Sequence, residues 1–102
     1  MKIITRDEFL KLGEDVLYSK YEPYIFEELL IKKESMPGDW FYLEIKSAVD
    51  MQNANHILSA GQSIDMDFDI MSRDGCFDED QLFAIYEKEE IQKIITKLQK
   101  CL

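Results

Sequence analysis

Trp40-Phe41-Tyr42-Leu43-Glu44-Ile45-Lys46 is the stretch on which the fold turns. It is dense in residues that favour the pleated, half-buried surface of a sheet. Its period of two puts Phe41, Leu43 and Ile45 on one face and Trp40, Tyr42, Glu44 and Lys46 on the other. Met36-Pro37-Gly38-Asp39 just before it has turn chemistry. Upstream of that turn, Tyr24 to Lys33 reads as a strand in which the adjacent Glu27-Glu28 pair breaks alternation, the mark of a bulge or a weakly held register. Val16-Leu17-Tyr18-Ser19-Lys20-Tyr21 reads as another strand, joined through Glu22-Pro23. The three form an antiparallel meander.

Working outward, Thr5-Arg6-Asp7-Glu8 fits a capping box. It opens a short helix that carries Phe9, Leu10 and Leu12 and stops near Gly13. Downstream, Ser47 to Gly61 holds turn formers and a short helical segment around His56-Ile57-Leu58. Ile64 to Met71 reads as a strand, Ser72-Arg73-Asp74-Gly75 as a turn, and Gln81-Leu82-Phe83-Ala84-Ile85-Tyr86 as a further strand, with the start of a long helix as the alternative. Glu89 to Leu102 is an amphipathic helix with a stripe of Ile91, Ile94, Ile95, Leu98 and Leu102. The expected fold is therefore one α+β domain over residues 1–102. Its antiparallel sheet has four to five strands, with a short N-terminal helix and an amphipathic C-terminal helix packed on one face.

Composition bounds the function. A chain of 102 residues with 46% apolar and 12% aromatic residues can close one modest core, so it is a globule and not an acidic tail. It has 12 basic against 21 acidic side chains, a net charge of −9. Direct binding to nucleic acid or to an anionic membrane is disfavoured, and a basic protein surface is the natural partner. No apolar run approaches the roughly 18 residues of a membrane span. The two cysteines and an N-terminus without an apolar leader core read as a reduced, cytoplasmic protein.

The acid is concentrated. Between Ile64 and Glu90 ten carboxylates (Asp65, Asp67, Asp69, Asp74, Asp78, Glu79, Asp80, Glu87, Glu89, Glu90) face only Arg73 and Lys88, a local balance of −8. In a strand over Ile64-Asp65-Met66-Asp67-Phe68-Asp69-Ile70, the three aspartates share one face at about 6.6–6.8 Å spacing. That is close to the step between successive phosphates of a nucleic-acid strand, roughly 6–7 Å. Like charges in a row repel, and Asp is a poor strand former, so the charge itself looks selected. The solvent face of a half-buried strand would account for the same pattern. Trp40 and Tyr42 add amphipathic aromatic area of the kind that anchors interfaces, although a helix lying over that face would account for them too.

Catalytic and metal readings are weaker. Aligning Asp74-Gly75-Cys76-Phe77-Asp78 with a calcium loop puts Ile70 and Gln81 at the first and last ligand positions, where carboxylates are needed. His56 and either cysteine form no recognisable nucleophilic motif. The chain has too few Cys and His for a structural zinc site, and Gly13, Gly38, Gly61 and Gly75 stand alone, so no phosphate loop occurs. No cofactor is expected.

Tyr18-Ser19-Lys20-Tyr21-Glu22-Pro23 and Arg73-Asp74-Gly75-Cys76-Phe77-Asp78-Glu79-Asp80-Gln81-Leu82-Phe83-Ala84-Ile85-Tyr86-Glu87 resemble segments of small acidic proteins encoded by bacteriophages and prophages. That resemblance brings no established activity with it. It implies an anti-defence role of the anti-CRISPR or anti-restriction type, exercised in the host cytoplasm. The combined expectation is a non-enzymatic inhibitor whose acidic surface occupies the basic groove of a host nucleic-acid-binding effector. Its partner-binding residues are Asp65, Asp67, Asp69, Asp74, Asp78, Glu79 and Asp80, with Trp40 and Tyr42. An immunity or antitoxin protein masking a basic toxin is the first alternative. A small divalent-metal-binding protein or metal-dependent enzyme using Asp65, Asp67, Asp69 and Asp74 is the second. Exposed aromatics would permit a homodimer.

Overall fold

The computed structural model describes residues 1–23, 25–46, 59–61, 63, 66–75 and 78–102. The chain runs β1 (Lys2–Thr5), α1 (Arg6–Leu10), β2 (Val16–Glu22), β3 (Ile25–Phe26), β4 (Leu30–Met36), β5 (Asp39–Glu44), β6 (Met71–Asp74), β7 (Leu82–Ile85) and α2 (Lys88–Gln99). One antiparallel sheet takes the order β1-β7-β2-β4-β5-β6, with β3 paired to β2. This is the α+β architecture the sequence predicts, widened by the edge strand β1 and the two-residue β3.

Local chemistry explains the elements. Thr5 and Glu8 close the capping box of α1, satisfying amides that a helix start leaves without acceptors. The β4–β5 hairpin turns on Pro37 and Gly38, with Met36 opposite Asp39. Pro37 presets its own φ and Gly38 takes φ 82°, the division of labour of a type II turn. The strand expected from Tyr24 to Lys33 breaks at Glu27–Glu28 into β3 and β4, where alternation fails in the sequence.

Cross-strand register sorts the side chains. Ile4 faces Phe83, which faces Lys20; Tyr18 faces Ile85 and Leu30; Lys32 faces Tyr42; Trp40 faces Asp74. All of these lie on one face of the sheet. α1 covers part of it through Phe9, which stacks on Phe83 with ring centroids 4.0 Å apart and sits 4.7 Å from Tyr18 and 5.0 Å from Trp40. Ile4, Phe9, Tyr18, Leu30, Trp40 and Phe83 form the core. Truncating a buried aromatic of this kind to Ala typically costs about 3–5 kcal/mol.

The core holds two polar surprises. The Trp40 Nε1–H donates to the Tyr18 hydroxyl at 2.8 Å, so both polar tips are satisfied inside. Burial holds the Tyr18 phenol well above its ordinary pKa, the Trp40 bond works against this, and Asp74 and Tyr42 add to it. Lys32 is fully buried, and its ammonium donates to the carbonyls of Leu12 at 2.8 Å, Lys33 at 3.0 Å and Gly13 at 3.4 Å. It also lies 5.7 Å from the Phe9 ring centroid.

Three expectations are corrected. Residues 66–70 form coil and turn, and Met66 and Phe68 are exposed where a strand would bury them. The Asp69 amide donates to the Asp67 carboxylate at 2.9 Å; short acidic side chains that bond backbone two residues on compete with a strand ladder. The strand forms instead at Met71–Asp74, where a turn is expected from the sequence. Ile64 and Asp65 lie outside the described residues, as does the segment around His56. Second, Trp40 is wholly buried and belongs to the core, not to a partner-binding face. Third, α2 buries none of its residues, so its stripe is not packed into the core.

Candidate functional site

The covered part of the sheet ends where α1 ends. Beyond it the same face opens into a cleft of about 400 Å³ lined by Lys20, Glu27, Glu28, Leu30, Tyr42, Glu44 and Asp74. Four different strands and the β3–β4 connection contribute. Lys20 comes from the far end of β2, Leu30 from the start of β4, Tyr42 and Glu44 from β5, and Asp74 from the end of β6.

The sheet must curl for these residues to meet. Lys20 Nζ lies 2.7 Å from Asp74 Oδ2, although β4 and β5 separate β2 from β6. In a flat sheet three strand steps would hold their backbones about 14 Å apart. The Trp40–Tyr18 bond bridges β5 and β2 in the same way. The lined face is therefore concave, and the two bridges hold its sides together.

Charge in the cleft is lopsided. Asp74 takes the Lys20 ammonium, both side chains being largely withdrawn from solvent. Glu27 and Glu28 are exposed at the rim and Glu44 is half-buried. Leu30, only 9% exposed, and the half-buried Tyr42 form an apolar and aromatic floor. Such a lining accepts a donor-rich cation on an aliphatic stem. A stem laid on Leu30 and Tyr42 would bring its cation to the carboxylates, and the phenol ring would add cation–π attraction. A pocket of this size suits a single side chain or small ligand.

No known family model, curated protein or solved structure matches this chain.

The structure distributes the sequence-predicted site residues unevenly. Asp74 and Tyr42 line the cleft. Asp67 and Asp69 sit exposed in the turn before β6. Asp78, Glu79 and Asp80 are exposed on the turn between β6 and β7, where the Asp78 carboxylate accepts from the Asp80 amide at 2.9 Å. Trp40 is in the core, and Asp65 lies outside the described residues, as does the Cys76 of the calcium-loop and dyad readings. For the metal reading, Asp74 is already engaged by Lys20 and Asp67 by the Asp69 amide. Among the described residues, Glu87, Glu89 and Glu90 do gather within 4.8 Å of one another, at the start of α2 and away from that aspartate set.

Sequence reading missed Glu27, Glu28, Glu44, Lys20 and Leu30 as site residues. Two signals pointed there. Glu27-Glu28 interrupts a strand for no packing reason, and Glu44 shares the face of Tyr42. The curl that brings Lys20 to Asp74 has no such local signature.

No helix among the described residues is long and apolar enough to cross a membrane.

Proposed function

We propose that this protein is a non-enzymatic binding domain that captures a basic side chain of a partner protein in the cleft. The single observation that carries the reading is the juxtaposition of Glu27, Glu28 and Glu44 around the Leu30–Tyr42 floor, with the cation of the lining, Lys20, paired to Asp74. Charge on the rest of the surface supports it: the chain carries −9, and Asp67, Asp69, Asp78, Glu79 and Asp80 are all exposed. Electrostatics of this kind accelerate encounter with a basic surface and impose strong salt dependence.

The partner we propose is a nucleic-acid-binding effector of a bacterial defence complex, whose groove presents arginines and lysines in rows. A toxin with a basic active surface offers the same chemistry and is the second reading. In either case the cleft supplies the anchor and the outlying aspartates supply steering. This replaces the expected row of three aspartates on a strand, because residues 66–70 do not form one.

The test is capture from lysate of a defence-competent host at low salt, comparing the parent with Glu27→Gln/Glu28→Gln/Glu44→Gln. Support requires a nucleic-acid-binding partner that the parent retains, that the variant loses, and that added DNA or RNA displaces. Equal retention by the variant, or indifference to nucleic acid, contradicts the reading.

A further inference from the structure

Glu27 and Glu28 are neighbours in the chain, yet both line the cleft. In a regular strand successive side chains point to opposite faces, so one of the two would be turned away. The strand pairings show how both are accommodated. Tyr21 faces Phe26, and Tyr18 faces Leu30. Between those pairs β2 holds two residues, Ser19 and Lys20, and the opposing chain holds three, Glu27, Glu28 and Leu29. One extra residue on one side of an antiparallel pair is a bulge, which bends its strand and re-aims the side chains it carries.

Two bonds hold this bulge. The Glu27 amide donates to the Lys20 carbonyl at 3.3 Å, and the Ser19 hydroxyl donates to the Glu28 carbonyl at 2.9 Å. Ser19 is wholly buried. Lys20 belongs to the concave face, so Ser19 points to the opposite one. There it faces Ala84 across the β2–β7 pair, and Tyr86, two residues past Ala84, is its diagonal neighbour. The Tyr86 and Ser19 hydroxyl oxygens are 3.0 Å apart. A hydroxyl has a single proton to donate. Ser19 gives its proton to the Glu28 carbonyl, which can only accept, so Tyr86 is the donor to Ser19. A directed chain of two hydrogen bonds thus runs from Tyr86 through Ser19 to Glu28, from the back of the sheet to the rim of the cleft.

We infer that Ser19, with Tyr86 behind it, is a positioning residue for the cleft: it pins the bulge that keeps Glu27 and Glu28 together at the rim. The inference rests on the cleft being the binding site. Neither Ser19 nor Tyr86 belongs to the cleft lining, and neither side chain is charged at neutral pH. Any effect of these hydroxyls on affinity therefore passes through the bulge.

Amide hydrogen exchange and peptide titration of the parent, Ser19→Ala and Tyr86→Phe test it. In Ser19→Ala the Glu27 amide should exchange about tenfold faster or more, while amides of the β4–β5 hairpin keep the parent's rates. That pattern separates a loosened bulge from a destabilised fold. Affinity for a short arginine-rich peptide should fall about three- to tenfold with its salt dependence unchanged, because no charge is removed. In a Glu27→Gln/Glu28→Gln background the same Ser19→Ala change should cost nothing further, as expected of a residue that acts through those two. Tyr86→Phe keeps the ring and should act in the same direction, more weakly. Unchanged Glu27 exchange in Ser19→Ala, or an affinity loss that persists in full in the glutamine background, overturns the positioning role alone. A parent that binds no peptide overturns the cleft reading and the positioning role with it.

Discussion

Lys32 is a buried cation facing carbonyls in place of a carboxylate. Its ammonium gathers the carbonyls of Leu12 and Gly13, just past α1, and of Lys33. It thereby fixes the exit of the helix on the concave sheet face, at the negative end of the helix dipole. Replacing it by Met keeps the stem but strips three acceptors of their donor. We expect Lys32→Met to cost about 1–3 kcal/mol in denaturant unfolding. Burial lowers the Lys32 pKa, with Glu14 partly offsetting it. Between that lowered value and the ordinary lysine value near about 10.4, the unfolded chain holds a proton that the folded chain has released. Lys32 therefore makes stability rise with pH through that window. Tyr18 has the opposite sign. Its pKa is raised by burial, so above the ordinary phenol value of about 10 the unfolded chain loses a proton the folded chain keeps, and stability falls. Unfolding midpoints measured from pH 7 to 11 should show the rise flattened in Lys32→Met and the alkaline fall flattened in Tyr18→Phe. Neither residue announces itself in the sequence. A Lys at an alternating strand position and an aromatic in a β-rich run look the same whether they face solvent or core, and only the curl of the sheet decides.

Elements were legible where their chemistry is local. Thr5 and Glu8 specify their capping box over four residues, and the Pro37–Gly38 turn is written in two. Thr5→Ala should cost about 1 kcal/mol by thermal unfolding. Period-two alternation misled at Ile64–Ile70 because aspartate serves two masters: its alternation mimics a strand, while its carboxylate bonds the backbone two residues on, as Asp67 does with the Asp69 amide. Amphipathic periodicity located α2 but carried no information about what meets its stripe. Because Ile94 is half-buried and Ile95 is 44% exposed, Ile95→Ala should cost under about 1 kcal/mol. A fully buried isoleucine would cost about 2–5 kcal/mol, and chemical denaturation separates the two.

At the scale of the whole molecule, net charge was readable from composition, but its working arrangement was not. Five of the ten carboxylates of residues 64–90, Asp67, Asp69, Asp78, Glu79 and Asp80, lie on exposed turns, whereas the cleft draws Glu27, Glu28 and Glu44 from a different part of the chain and gathers them with Asp74. Their meeting depends on β6 returning beside β5 and on the sheet bending, both of them long-range events. The most direct measurement is calorimetric titration of the protein with a short arginine-rich peptide at low and moderate salt. It compares Glu27→Gln/Glu28→Gln/Glu44→Gln with a control that removes the same number of charges, Asp67→Asn/Asp69→Asn/Asp80→Asn. The account predicts saturable, salt-sensitive binding that the cleft variant weakens by about tenfold or more, while the control weakens it by only a few-fold. Equal losses in the two variants would mean that the peptide reads diffuse surface charge, and would contradict the cleft as the binding site.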